Sequence, residues 1–429
     1  MSKRVPASTT TRKRIEELMD GTTGAADARS EFVKLATRLL LEEAGEAETR
    51  DAVGREYYRH GAGHGHRNGY RTARLGSAEG SIEFAVPQVR GLRGWRSQVR
   101  EALSGRSEEL ERLAIERYAR GLSVRDIERA FTDRSGRCRL TRTAVSELTE
   151  RLWNDYQAFA SRDLSVHPVL YLFIDGVAER VHLGQPREAV LAAWAITASG
   201  QKVLLGLAPA TKEDTASCRD FLRDLKARGL QDPLLVATDG APGLIRAVEE
   251  VFPRSLRQRC LAHKIRNLQQ KVPEERWREV KAQAFAAYTA GSPAVARLLR
   301  EEFVTRFERE LPSATTCFLE DFEAAIAHLR VPIAHRRAVR TTNLLERLFG
   351  EERRRTKVIP HAFGERAVLK LMFASLLRAS AGWRRVVISE FELRQLEELR
   401  TDLDQEFKQR TTAPVSVASR HRIYSKDRT

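Results

Sequence analysis

The most continuous apolar stretches lie in the middle of the chain. Val169-Leu170-Tyr171-Leu172-Phe173-Ile174 and Leu234-Leu235-Val236-Ala237-Thr238 are short, rich in branched residues and uninterrupted by charge. Runs of that kind read as strands buried on both faces of a sheet. Further strands are expected over 189–197 and 202–208, and a short one over 257–260. A helix is expected from Thr215 to Ala227, with Gly229 after it, and another from Pro242 to Phe252. Three strands followed by alternating helix and strand is the order of a mixed α/β sheet. Residues 261–335 hold helical periodicity and no strand pattern, and helices continue to about Gln409.

The first third of the chain is patterned differently. Residues 1–30 are polar and read as a mobile tail, and a helical pattern covers Glu31 to Glu46. A Gly/His-rich stretch with His60, His64 and His66 precedes two short strands, 71–75 and 81–86, joined by a turn at 77–80 and closed by Pro87. The three histidines are the composition of a small metal site or of a loop that binds nothing. Residues 107–160 read as three helices, opened by Ser107, Ser123 and Thr141, each a good cap. Two helices, a connection and a third suggest a helix-turn-helix, with Arg142, Thr143 and Ser146 where base edges would be reached. An ordinary three-helix bundle has the same spacing, and the connection from Thr132 to Thr141 is long for a compact helix-turn-helix. The resulting organisation is a polar tail and helix over 1–50, a small β/loop module over 51–105, and a DNA-binding helical region over 106–164. The sheet begins over 165–260, a helical insertion spans 261–335, the rest of the core and C-terminal helices span 336–409, and a disordered tail covers 410–429.

Charge narrows the partner. The 429 residues carry 74 Lys+Arg against 58 Asp+Glu, a net +16, with a pI near 10.0. Such a field draws in polyanions. No apolar run is long enough to cross a membrane, and Met-Ser-Lys-Arg-Val-Pro is not a secretory leader. Cys138, Cys218, Cys260 and Cys317 are scattered without a CxxC pair. That argues against a disulfide framework or zinc ribbon and fits a reducing cytoplasm.

Three acids stand out. Asp175 and Asp239 each end an apolar run, and Glu346 sits in Thr341-Thr342-Asn343-Leu344-Leu345-Glu346. A carboxylate at the end of a buried strand is costly unless it is solvated, paired or bound to a cation. Both aspartates precede glycine, so a tight turn is the simpler reading of each. Glu346 falls three residues after Asn343, as in a capping box. Together the three suit phosphoryl transfer: two Mg²⁺ or Mn²⁺ ions clamp an in-line displacement, with Asp175 bridging both, Asp239 on one and Glu346 on the other. The run Arg353-Arg354-Arg355-Thr356-Lys357 is either a solvated helix face or a hold on DNA phosphates beside those ions.

Four segments resemble the Mutator-type transposases of bacterial insertion sequences: Ile174-Asp175-Gly176, Ala237-Thr238-Asp239-Gly240, Gln258-Arg259-Cys260-Leu261-Ala262-His263-Lys264-Ile265-Arg266-Asn267, and Thr341 to Glu346 with Arg353 to Ile359 after it. Arg67-Asn68-Gly69-Tyr70 and Tyr118 to Ile127 are similar to the family's DNA-binding half, and the likeness covers most of residues 50–385. The resemblance implies an α/β fold: a ribonuclease-H-like mixed-sheet catalytic core with a helical insertion, preceded by a helical DNA-binding region. It puts Asp175, Asp239 and Glu346 in a DDE triad that holds two Mg²⁺ (or Mn²⁺) ions, and it explains the interval of 107 positions from the second acid to the third by the insertion. Cys260 and His263 match the family's C/D-x-x-H signature and would shape the site. Arg142, Thr143, Ser146, Lys264, Arg353, Arg354, Arg355 and Lys357 would meet DNA. Trp277 stands either for the family's insertion tryptophan or for a core residue. The implied partners are double-stranded DNA, at element ends and target, and further copies of the chain in a dimer or larger assembly, working at the nucleoid. A nuclease without strand transfer and a domesticated DNA-binding regulator are the rival readings.

Overall fold

The computed structural model describes residues 5–20, 25–57, 65–77, 79–92, 95–103, 105–120, 122–132, 138, 140–179, 187–210, 214–344, 350 and 364–412. The chain divides into two compact units, residues 1–152 and 153–429.

The first unit holds α1 (Ala7–Asp20), α2 (Ala25–Val53), β1 (His66–Ser77), β2 (Gly80–Arg90), α3 (Gln98–Leu103), β3 (Gly105–Arg106), α4 (Glu108–Ala119), α5 (Val124–Ala130) and the start of α6 (Arg142–Ser161). β1 and β2 form an antiparallel ribbon with β3 parallel to β1. One face of the ribbon alternates Leu75, Ile82, Phe84 and Val86, which pack with Leu41 of α2. The second strand runs past Pro87, expected to end it. β2 is the edge strand of the order β2-β1-β3, and Pro87 faces Tyr70 where the ribbon register shifts. A residue without an N–H is tolerated at an edge or a bulge.

The N-terminal tail expected over 1–30 is also different: α1 is a helix. It is held by polar bonds that hydrophobic periodicity cannot reveal. Ser8 Oγ donates to Glu46 (2.6 Å) and Thr11 Oγ1 to Glu42 (2.5 Å). Glu42 is fully buried and also accepts from Arg38 (2.9 Å) and the Ala85 N–H (3.0 Å). Three bonds to one carboxylate offset its desolvation.

In the second half of this unit the three expected helices are present. Ser107 accepts from the Leu110 N–H and Ser123 from the Asp126 N–H; Thr141 Oγ1 accepts from the Ala144 N–H. Leu110, Ala114, Ile127, Phe131, Leu140, Val145 and Leu148 make their shared core.

The second unit is built on β4 (Val169–Glu179), β5 (Glu188–Thr197), β6 (Lys202–Ala210), β7 (Leu235–Thr238) and β8 (Leu256–Arg259) in the order β6-β5-β4-β7-β8. β4 pairs antiparallel with β5 and parallel with β7, and β7 runs parallel to β8. α7 (Thr215–Ala227) and α8 (Pro242–Val251) cover one face. There Leu172, Ile174, Leu191, Ala193 and Val236 meet Phe221, Leu222, Leu225, Leu244 and Val248. Each fully buried leucine or valine contributes on the order of 1.5–3 kcal/mol. The other face carries Tyr171, Phe173 and Asp175, with the Phe173 ring stacked on Trp194 at 3.9 Å. β5 is buried along nearly its whole length, which is why its sequence shows no alternation.

The insertion is helical, as expected: α9 (Leu261–Gln269), α10 (Glu274–Tyr288), α11 (Pro293–Phe307), α12 (Pro312–Leu319), α13 (Phe322–Ala325), a 3₁₀ turn (Ala327–Arg330) and α14 (Ile333–Val339). Tyr288, Phe303, Phe307 and Phe318 fill its core, and Trp277 packs partly buried against it. α15 (Glu365–Ser380) packs on β6, and α16 (Glu390–Thr412) ends the described chain.

Candidate active site

Register brings the first two acids together. β4 and β7 pair in parallel with Ile174 opposite Thr238. Asp175 and Asp239 are the next residues, the first still inside β4 and the second just past the end of β7. Thr238 is in turn opposite Arg259 of β8, and the Cys260 N–H donates to Thr238 O at 2.8 Å. Asp239 and Cys260 therefore follow directly on the ends of β7 and β8, next to the part of β4 that holds Asp175.

Neither Asp-Gly pair is a hairpin turn. Asp175 and Gly176 lie inside β4, opposite Ala192 and Leu191. Asp175 is 5% exposed, and its Oδ1 accepts the Gly176 N–H at 3.0 Å. Asp239 is half-buried and turns the chain from β7 into α8: its Oδ1 accepts the Ala241 N–H at 2.9 Å, and Pro242 opens the helix.

The third acid, Glu346, lies outside the described residues, as do Arg353, Arg354, Arg355 and Lys357, and as do His60 and His64. The chain leading to Glu346 is fixed. The Leu261 N–H donates to Arg340 O at 2.9 Å. The Thr342 N–H and Oγ1 both donate to Cys260 Sγ, at 3.3 and 3.4 Å. The segment that precedes Glu346 is thus tied to Cys260, at the end of β8. Asn343, expected to cap a helix holding Glu346, has its Oδ1 buried without a hydrogen-bond partner. Among the described residues no three His, Cys, Asp or Glu side chains gather as a metal group.

The stretch from Gln258 to Asn267 works as a bracket. Gln258 is fully buried and reaches into the insertion, donating to Ala325 O (3.1 Å) and accepting from the His328 N–H (2.7 Å). Its neighbour Arg257 pairs with Asp321 through both guanidinium nitrogens. Burial pushes the Cys260 thiol up, but hydrogen bonds from His263 and Thr342 outweigh it and hold the pKa below its ordinary value. Cys260 is thus hydrogen-bonded to both His263 and Thr342.

Lys264 does not face DNA. It is 1% exposed, and its ammonium donates to Cys317 O (2.5 Å) and Glu320 O, the free carbonyls at the end of α12. Burial lowers its pKa. A lysine among basic residues reads as a phosphate contact in sequence; here it satisfies a helix C-terminus.

Arg259 was not singled out by sequence, because it reads as one more surface cation. It is 9% exposed, and its guanidinium lies against Gly240. In the first unit, Arg142, Thr143 and Ser146 are exposed on the first turns of α6. Arg142 sits loosely by Glu128, Nε to Oε2 3.6 Å, and Glu128 Oε1 accepts its N–H at 2.9 Å.

Fold and site together are those of an α/β protein with one aspartate inside β4 and another just past the end of its parallel neighbour β7. The family model of the Mutator transposases matches residues 8–386. The chain therefore belongs to the Mutator family of transposases, and the likeness reaches further towards the N-terminus than its motifs indicated. It is 32% identical over 270 residues to the transposase of insertion sequence IS6120 from Mycolicibacterium smegmatis, covering 63% of this chain and 84% of that protein. Over 354 residues it is 31% identical to the IS406 transposase of Burkholderia multivorans, 81% of this chain and 90% of that one. The ISRM5 transposase of Rhizobium meliloti is 28% identical over 356 residues, 81% and 87% of the two chains. No helix among the described residues is long and apolar enough to cross a membrane.

Proposed function

We propose that this chain is the transposase of an insertion sequence, with a ribonuclease-H-like core whose Asp175, Asp239 and Glu346 form a DDE triad. The observation that carries the reading is the parallel register that pairs Ile174 with Thr238, the residues immediately before Asp175 and Asp239. The strand order β6-β5-β4-β7-β8, with β5 antiparallel to both its neighbours and β4, β7 and β8 parallel, supports the core assignment. The bond from Thr342 to Cys260 supports Glu346 as the third member, since it holds that segment at the same sheet edge.

The donor set fits Mg²⁺ or Mn²⁺: the two described acids supply oxygen only, and a 5%-exposed carboxylate such as Asp175 is stable there with a cation to face. Two such ions supply activation of a water or 3′-hydroxyl and stabilisation of the leaving oxygen. The chain's own part is to fix geometry. Asp175 is held within a paired strand, Asp239 in a strand-to-helix turn, and Cys260 keeps the approach to Glu346 in place. Arg353, Arg354, Arg355 and Lys357 would grip phosphates beside the acids. Arg142, Thr143 and Ser146, exposed at the start of α6, would read the terminal inverted repeats. Hydrolysis at the element end and attack of the freed 3′-hydroxyl on target DNA would share this one site, in an assembly of two or more copies that holds both ends at the nucleoid.

The test is Asp239→Asn with labelled element ends in Mg²⁺. The variant keeps end binding and loses cleavage and strand transfer. Equal cleavage by variant and parent refutes the triad; cleavage without joining of pre-cut ends by the parent makes the protein a nuclease.

A further inference from the structure

Arg259 has no role in that reading, yet its setting is costly. The residue is 9% exposed and its Nε is buried with no hydrogen-bond partner. A desolvated cation with an unmet N–H is worse for stability than an apolar side chain of the same volume. Its contacts say what it is for. A Cβ built on Gly240 would lie 0.8 Å from Arg259 Nη1 and 1.8 Å from Cζ, so the guanidinium takes the space that a side chain at position 240 would need. Gly240 has φ +89°, a conformation that glycine alone adopts freely. It is the middle of the turn that Asp239 closes onto the Ala241 N–H. At the other end, the Asn267 amide stands 3.2 Å from Arg259 Nη2 and 3.3 Å from His263 O, and meets both when its oxygen is turned to the guanidinium and its nitrogen to the carbonyl. The clamp is therefore anchored in α9, whose N-terminal Cys260 holds Thr342.

We propose that Arg259 is the positioning residue of Asp239. Its guanidinium pins the Asp239-Gly240-Ala241 turn so that the carboxylate stays beside Asp175 in the geometry two hard cations require. Resting on the metal reading above, this assigns Asn267 as the residue that holds the clamp. One ten-residue stretch then fixes both the second acid and the approach to the third, because Arg259 and Cys260 are consecutive.

Mn²⁺ binding to the full chain without DNA, measured by calorimetry or by loss of the free-ion paramagnetic resonance signal, tests this apart from turnover. Arg259→Lys keeps the charge and loses the plane. It should weaken Mn²⁺ binding by about 10-fold, the usual scale for removing a support behind a metal ligand. Its melting temperature should stay near that of the parent. The exposed far anchor gives a milder variant: Asn267→Ala should weaken binding by roughly 3-fold, below that 10–100-fold scale, and serves if Arg259→Lys fails to fold. Asp239→Asn is the control for the site itself. If it loses Mn²⁺ while Arg259→Lys and Asn267→Ala bind like the parent, the clamp is overturned and the metal site stands. If Asp239→Asn binds Mn²⁺ as tightly as the parent, the metal site is refuted and the clamp with it.

Discussion

Acid should loosen the insertion from the sheet through His328. The imidazole is 1% exposed in the 3₁₀ turn that lies against β8. Its Nδ1 is 3.2 Å from both Gln258 Oε1 and Ala325 O. Both are acceptors, so Nδ1 carries the proton of a neutral ring and charging requires a second proton on a buried Nε2. Burial pushes the pKa down from 6.5 to about 4, and the nearby Arg340 and Arg336 push in the same direction. Below pH 6.5 the unfolded chain takes up a proton that the fold refuses. Stability is therefore full above that pH and falls as pH drops, with a slope approaching 1.4 kcal/mol per unit, until the folded ring also protonates near pH 4. The interval of about 2.5 units corresponds to roughly 3 kcal/mol. Urea melts of the parent and of His328→Gln at pH 7.5, 6, 5 and 4.5, followed by far-ultraviolet dichroism, read the difference. The parent should lose about 2.5 kcal/mol relative to the variant across that range, with the midpoint moving and the slope constant. Parallel loss in both proteins would refute a buried neutral His328.

Two further outcomes follow from the same structure. Lys264→Ala orphans the two carbonyls that end α12 and should cost about 2–4 kcal/mol in urea melts, by the penalty for buried unmet groups. The affinity of the folded variant for element-end DNA should match the parent; a loss of affinity at unchanged stability would return Lys264 to the DNA. Arg142→Gln should weaken binding to element ends by about 1–3 kcal/mol if it meets a base edge. Binding to random duplex, measured by fluorescence anisotropy, should fall by less; equal loss on both sequences would make Arg142 a phosphate contact.

Apolar patterning made the sheet legible, because β4, β5 and β7 are buried on both faces and leave continuous runs. The three helices after residue 107 were legible through their capping serines and threonine. What was missed is polar. α1 docks through Ser8 and Thr11 onto buried glutamates, a pairing with no hydrophobic period. β2 outruns Pro87 because only its place at the sheet edge makes the proline harmless. In the Gln258 to Asn267 stretch, sequence gives the charges and not their direction. Lys264 and Arg259 both turn inward, one to the end of α12 and one to Gly240. Asp175 and Asp239 were found as strand-end acids, but their adjacency comes from strand order, which the residues themselves do not encode locally.

The central claim is that Asp175, Asp239 and Glu346 meet around a pair of divalent cations. A crystal structure of the chain with element-end DNA and Mn²⁺, with the ions located by anomalous scattering, measures it directly. The account predicts two peaks about 4 Å apart, Asp175 shared between them and Asp239 and Glu346 on one each. Ions bound elsewhere, or Glu346 remote from the aspartates while DNA is engaged, would contradict it.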